Sequence, residues 1–141
     1  LPIVWIGHCP FALPEVLVPL VKGHADLTDA DTSQDFTLYT LPGPCRVICP
    51  PAIDSLTAFS GGGTGSLTVA IGADSDPDAI GDEESIFTGG AVGAMTAGVL
   101  GYPGALLAAG TVIKAQFVTD PPLAALTAGA MVAHLRLRPG A

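Results

Sequence analysis

Apolar and polar residues alternate with a period of two in several short runs of this chain. In "SLTVAIG" (66–72), Leu67, Val69 and Ile71 alternate with Ser66, Thr68 and Ala70. The same pattern recurs in "DFTLYTL" (35–41) and in "TVIKAQFVT" (111–119). In "AMVAHLRLR" (130–138), Met131, Ala133, Leu135 and Leu137 oppose Val132, His134, Arg136 and Arg138. A strand points successive side chains to opposite faces, so each run predicts a half-buried strand. "CRVIC" (45–49) and "AIDSLTAF" (52–59) read as two more strands, and "PGP", "SGGGTG" and "DPP" read as turns between strands. Such a series of short strands predicts an all-β domain, an antiparallel β-sandwich of jelly-roll or Greek-key type. Its expected core includes Phe36, Leu38, Leu67, Val69, Ile71, Ile113, Phe117, Leu135 and Leu137.

The pattern breaks at both ends of the first half. Residues 1–23, "LPIVWIGHCPFALPEVLVPLVKG", carry prolines at 2, 10, 14 and 19. Each removes a backbone donor and forbids a helix interior. The segment is strongly apolar, so it predicts an extended N-terminal arm that packs on a neighbouring chain. Trp5, Phe11, Val16, Leu17 and Val18 are the expected partner-binding residues. The domain boundary falls at 23/24, with the sandwich over 24–141. The other reading of the arm is an edge strand of its own sheet, where proline is tolerated. Residues 72–85, "GADSDPDAIGDEES", read as an acidic loop, and "DAIGDEESIF" (78–87) as a helical turn weakened by Gly81. Residues 89–105 read as a long glycine-rich loop with a short strand or two.

Composition narrows the function. The chain has 141 residues, one domain's worth, with 49% apolar and only 13% charged residues. So low a charge fraction suggests surface covered by partners, and the apolar stretch 89–110 has little else to bury it, which predicts self-association. The net charge is −8, from 13 acids against 5 bases, and no basic run appears. Binding to nucleic acid is therefore not expected. No apolar run is long enough to span a bilayer as a helix, and no membrane partner is expected. The start of the sequence has no basic segment of the signal-peptide kind. Three cysteines, Cys9, Cys45 and Cys49, exclude a fully paired disulfide framework.

Candidate chemistry is sparse. Ten of the 13 acids lie in residues 26–35 and 74–84. Asp29, Asp31 and Ser33 match the first, third and fifth positions of a calcium loop. Gln34 then stands where glycine is needed, and Thr40 where an acid is needed. Asp74, Asp76 and Asp78 begin a second match that fails at Ala79 and Ser85. Both runs read as solvated acidic turns, so neither metal nor cofactor is expected. His8, His24 and His134 have no spacing partners, and Cys45 and Cys49 sit about 13 Å apart on an extended strand. "SGGGTGS" has the glycines of a phosphate cradle but neither a lysine nor a following helix. No catalytic constellation assembles, and an enzyme is not expected.

Three segments together, "HADLTDADTSQDFTLYTLP", "FSGGGTGSLTVAIGADSDPDAI" and "LTAGAMVAHLRLR", resemble small virion proteins of tailed bacteriophages. In those, an acidic lead-in precedes the first strand and an "LTAG" turn precedes the last. The resemblance covers most of residues 24–138. It implies a non-enzymatic decoration (cement) protein on the exterior of the capsid, with the major capsid protein and sister subunits as partners. Together with the local symmetry of icosahedral shells, it implies a homotrimer. The alternative is a tail, fibre or receptor- or carbohydrate-binding β-sandwich module of a virion. In either case "HADLTDADTSQD" is expected to be a solvated hinge between arm and sandwich.

Overall fold

The computed structural model describes residues 15–87, 92–100 and 104–140. Among these residues the strands are β1 (Val16–Gly23), β2 (Ser33–Thr40), β3 (Cys45–Val47), β4 (Ala52–Ser60) and β5 (Leu67–Ala73). They continue with β6 (Asp76–Ser85), β7 (Gly93–Ala94), β8 (Leu106–Leu107), β9 (Val112–Thr119) and β10 (Ala128–Pro139). Among the described residues, helix is limited to single 3-10 turns at His24–Asp26 and Leu123–Ala125.

The strands form two antiparallel sheets. In the first, the β10 sheet, β1 runs along one side of β10 from Val16↔Leu137 to Gly23↔Ala130. β4 and β3 follow one another along its other side. β7 pairs with β4, and β8 with β3. The second, the β9 sheet, has the order β2-β9-β5-β6. β3 and β4 are two halves of one long strand, broken where Pro50 and Pro51 supply no N–H to a ladder. Counted so, the pairings are nested: β1 with β10, β2 with β9, β3/β4 with β8/β7, and β5 with β6. Nested antiparallel pairs shared between two facing sheets make a jelly roll.

The core lies between the sheets and follows the period-two pattern. Val18 and Leu20 of β1, Ile53 and Phe59 of β4, and Met131, Ala133, Leu135 and Leu137 of β10 are buried. They face Leu67, Val69 and Ile71 of β5 and Ile113, Ala115 and Phe117 of β9. Phe36 and Leu38 of the expected core sit half-buried on edge strand β2 and pack against it. The Phe36 ring meets Phe117 edge to face at 5.6 Å, and the Lys22 ammonium lies 4.3 Å from the Phe36 centroid.

Two expectations need correction. The sandwich already includes Val16–Gly23, which pairs with β10, so the expected boundary at 23/24 falls inside it. Val18 and Leu20 alternate into the core, and β1 pairs only with β10 among the described residues. On such an edge strand the missing N–H of Pro19 removes no ladder bond. Residues 1–14 of the expected arm lie outside the described residues. The second correction concerns residues 72–85, which form no helical turn. They are the β5–β6 hairpin, turned at Asp74 with φ of 52°. The β5–β6 register shifts between Ile71 and Ala73, and the strand bulges over Gly72. A side chain there would run into the Asp76 carbonyl and the Pro77 backbone.

One edge of the sandwich is closed by residues 93–98. Met95 N–H donates to the Pro51 carbonyl at 2.8 Å, while Asp82 N–H donates to Thr96 at 2.9 Å and Gly98 N–H to Ile80 at 3.1 Å. This segment thus joins β4 of one sheet to β6 of the other.

Candidate functional site

The five expected partner-binding residues separate in the structure. Trp5 and Phe11 lie outside the described residues. Val18 is buried, and Val16 packs half-buried against the core, so both are spent on the domain itself. Leu17, pointing the opposite way, is 55% exposed.

The first acidic run is a turn that leads into β2, not a hinge. Asp31 N–H donates to the Asp29 carboxylate at 3.2 Å, and Asp29 N–H donates to Gln34 Oε1 at 3.2 Å. The carbonyls of Asp29 and Asp31 accept from Ala124 and Leu123 at 3.0 and 3.1 Å. Its polar groups therefore clasp the 3-10 turn before β10.

The second run, on β6, is less compensated. Asp74 is tied to the start of β9, accepting from Val112 N–H at 3.0 Å and donating to the Val112 carbonyl at 2.8 Å. Beyond it, Asp78 and Asp82 line an open cleft of about 200 Å³ with Ala97, Gly98 and Val99. The hydrogen bond with the Asp76 carboxyl, and then desolvation, hold Asp78 above the usual carboxylate range. Among the described residues, no group of three or more His, Cys, Asp or Glu side chains could hold a metal ion.

Asp120 does a different job. Burial pushes its carboxyl up, but amides of Gly65, at 3.0 Å to both oxygens, and Ser66, at 3.1 Å, outweigh that and hold it below the usual range. It anchors the glycine loop between β4 and β5. Cys45 and Cys49 are free thiols, and burial pushes the Cys45 thiol up.

The feature that sequence reasoning missed is the outer face of the β10 sheet. Val132, His134, Arg136 and Arg138 alternate with the buried residues of β10. Across the ladder, Val21 faces Val132, Pro19 faces His134 and Leu17 faces Arg136. On the other side Arg138 faces Arg46, which in turn faces Leu106. One half of the face is thus apolar, with Leu17, Val21 and Val132 all exposed. The other half holds three of the chain's five bases. His134 Nδ1 lies 2.8 Å from the Asp54 carboxylate, the ion pair found among the described residues. Arg46 donates to the Gly104 carbonyl at 3.1 Å, and none of the three arginines forms an ion pair among the described residues. The basic cluster was invisible in the sequence because Arg46 and Arg138 meet only through β3–β10 pairing.

No protein-family model, curated protein or solved structure matches the chain.

Proposed function

We propose that this chain is a non-enzymatic structural protein of a phage virion, one that binds the outer surface of the capsid and stabilises it. The observation that carries the reading is the apolar half of the outer β10-sheet face. Leu17, Pro19 and Val21 run along the outer face of β1, with Val132 opposite Val21 on β10; Leu17, Val21 and Val132 are 55%, 62% and 36% exposed. Contiguous exposed apolar residues on a sheet face are a feature of surfaces that meet partners. The jelly roll adds support by analogy alone, since viral capsid and lectin domains share it. The resemblance in the sequence points to the first of these. Under this reading the chain sits on the capsid exterior as a homotrimer, contacting the major capsid protein. Of the expected docking residues, Leu17 serves on this sheet face.

The test is to seek a major capsid protein gene beside the gene for this chain and to co-sediment the chain with empty capsids assembled from its product. The wild-type chain is expected to bind to a fixed copy number and to raise the temperature at which the capsids rupture. Leu17→Asp with Val21→Asp should abolish binding without lowering the melting temperature of the isolated domain. If the wild-type chain fails to bind, or if the double variant binds equally well, the reading is wrong.

A further inference from the structure

We propose that copies of this chain associate head to tail, the Arg46–Arg138 end of the β10 sheet of one copy docking on the acidic cleft beside β6 of the next. The two surfaces are complementary in charge, and within one chain none of the arginines forms an ion pair with these acids among the described residues. The arginines lie on the outer face of one sheet. The acids lie on β6, an edge strand of the other.

Each surface has a deficit that the other fills. Arg46 and Arg138 are directly opposed and both exposed, and like charges directly opposite each other destabilise a ladder. The acids facing this end do not relieve them. Asp54 is engaged by His134 at 2.8 Å, and Glu15, just before β1, is buried and forms no ion pair among the described residues. On the acidic side, six carboxylates lie between Asp74 and Glu84, with no lysine or arginine anywhere between Arg46 and Lys114. Asp78 and Asp82 open onto a cleft of about 200 Å³ that is roofed by small residues and the exposed Val99. A guanidinium entering it meets carboxylates on one wall and apolar atoms on the other, the surroundings that suit arginine's weak hydration and bidentate geometry.

A patch that binds a different patch on the next copy makes a heterologous interface, which closes into a ring when the rotation permits. This association rests on the homotrimer of the capsid reading and names its interface. It needs no particle, so binding to the capsid can fail while the association stands.

Sedimentation velocity of the isolated full chain at micromolar concentrations tests it. Assemblies larger than a monomer are expected, and their dissociation constant should rise at least about ten-fold between about 50 mM and 500 mM salt. R46E/R138E and D78R/D82R should each be monomeric, and an equimolar mixture of the two should associate again into alternating assemblies of even copy number, because reversed charges match only between unlike chains. R46Q/R138Q, which retains polar side chains, should also be monomeric, and it decides the question if a charge-reversed chain does not fold. A monomeric wild-type chain, a salt-insensitive assembly, an R46Q/R138Q chain that assembles like the wild type, or folded reversal variants that fail to reassemble on mixing would each overturn the proposal.

Discussion

Gly129 sits near the start of β10, where the register against β4 shifts between Ala128 and Ala130. Its φ is +125°, a backbone region that residues with a Cβ occupy only at about 1–3 kcal/mol. A Cβ at this position would be driven into Phe59, against both its ring and its own Cα. Phe59 is fully buried, and its backbone is held in β4, so it has no free rotamer into which to retreat. Forcing an extra methyl into a packed site adds about 1–3 kcal/mol. Gly129→Ala should therefore destabilise the domain by roughly 4 kcal/mol, a large share of the about 5–15 kcal/mol that holds a domain folded. In urea the midpoint should fall by about 2 M at an unchanged slope, for a slope near 2 kcal/mol per M. Gly63→Ala is the control. Gly63 also has positive φ, +76°, but nothing lies within 4 Å of the point a Cβ would occupy there, so only the backbone penalty of about 1–2 kcal/mol applies. If the two substitutions cost the same to within about 0.5 kcal/mol, the clash with Phe59 is not what demands glycine here.

Val18→Ala should destabilise by about 2 kcal/mol, because two buried methyl groups are lost from β1, while Leu17→Ala on the outer face should stay within about 0.5 kcal/mol; thermal melts of the two variants check that β1 belongs to the sandwich. Asp120 should contribute to the acid limb of stability. Its folded carboxyl lies below the unfolded value of 3.8, so its contribution is present above that value and is lost as pH falls through the folded one. Asp120→Asn should flatten the fall in melting temperature below about pH 4, and an unchanged acid limb would count against the Gly65 and Ser66 hydrogen bonds.

Strands β2, β5, β9 and β10 were legible because a half-buried strand imposes a period of two on its sequence, and the facing Leu67, Val69, Ile71, Ile113 and Phe117 follow from it. β6 was not. Asp76, Asp78, Asp82, Glu83 and Glu84 lack the β-branched signature of a strand, and only Ala79, Ile80 and Gly81 of β6 are buried, where it pairs with β5 around a bulge that Gly72 permits. β1 misleads for a similar reason, since Pro19 suggests a free arm until the neighbouring strand is known to lie on one side only. The candidate surface was the least legible part. Leu17 stands out by its apolar character, but its exposure depends on which face β1 turns outward, and the arginine cluster depends on pairing between distant strands. Sequence periodicity reports what a residue does within its strand; it does not report which strand will lie beside it.

The nesting of the strands sets an order on how this chain must fold as it is made. β5 and β6 are joined by a tight turn and can pair as soon as they emerge, and each outer pair then closes a loop that the inner pairs have already shortened. β10, however, is both the last strand and the centre of its sheet. β1 has no ladder partner among the described residues until β10 arrives, and β3 and β4 have only the two-residue strands β8 and β7. During synthesis, Val18, Leu20, Ile53 and Phe59 therefore wait with their apolar faces uncovered until the end of the domain clears the ribosome. A pause or truncation before Ala128 would leave open strands seeking any edge to pair with, so the step most exposed to aggregation is the arrival of the final strand.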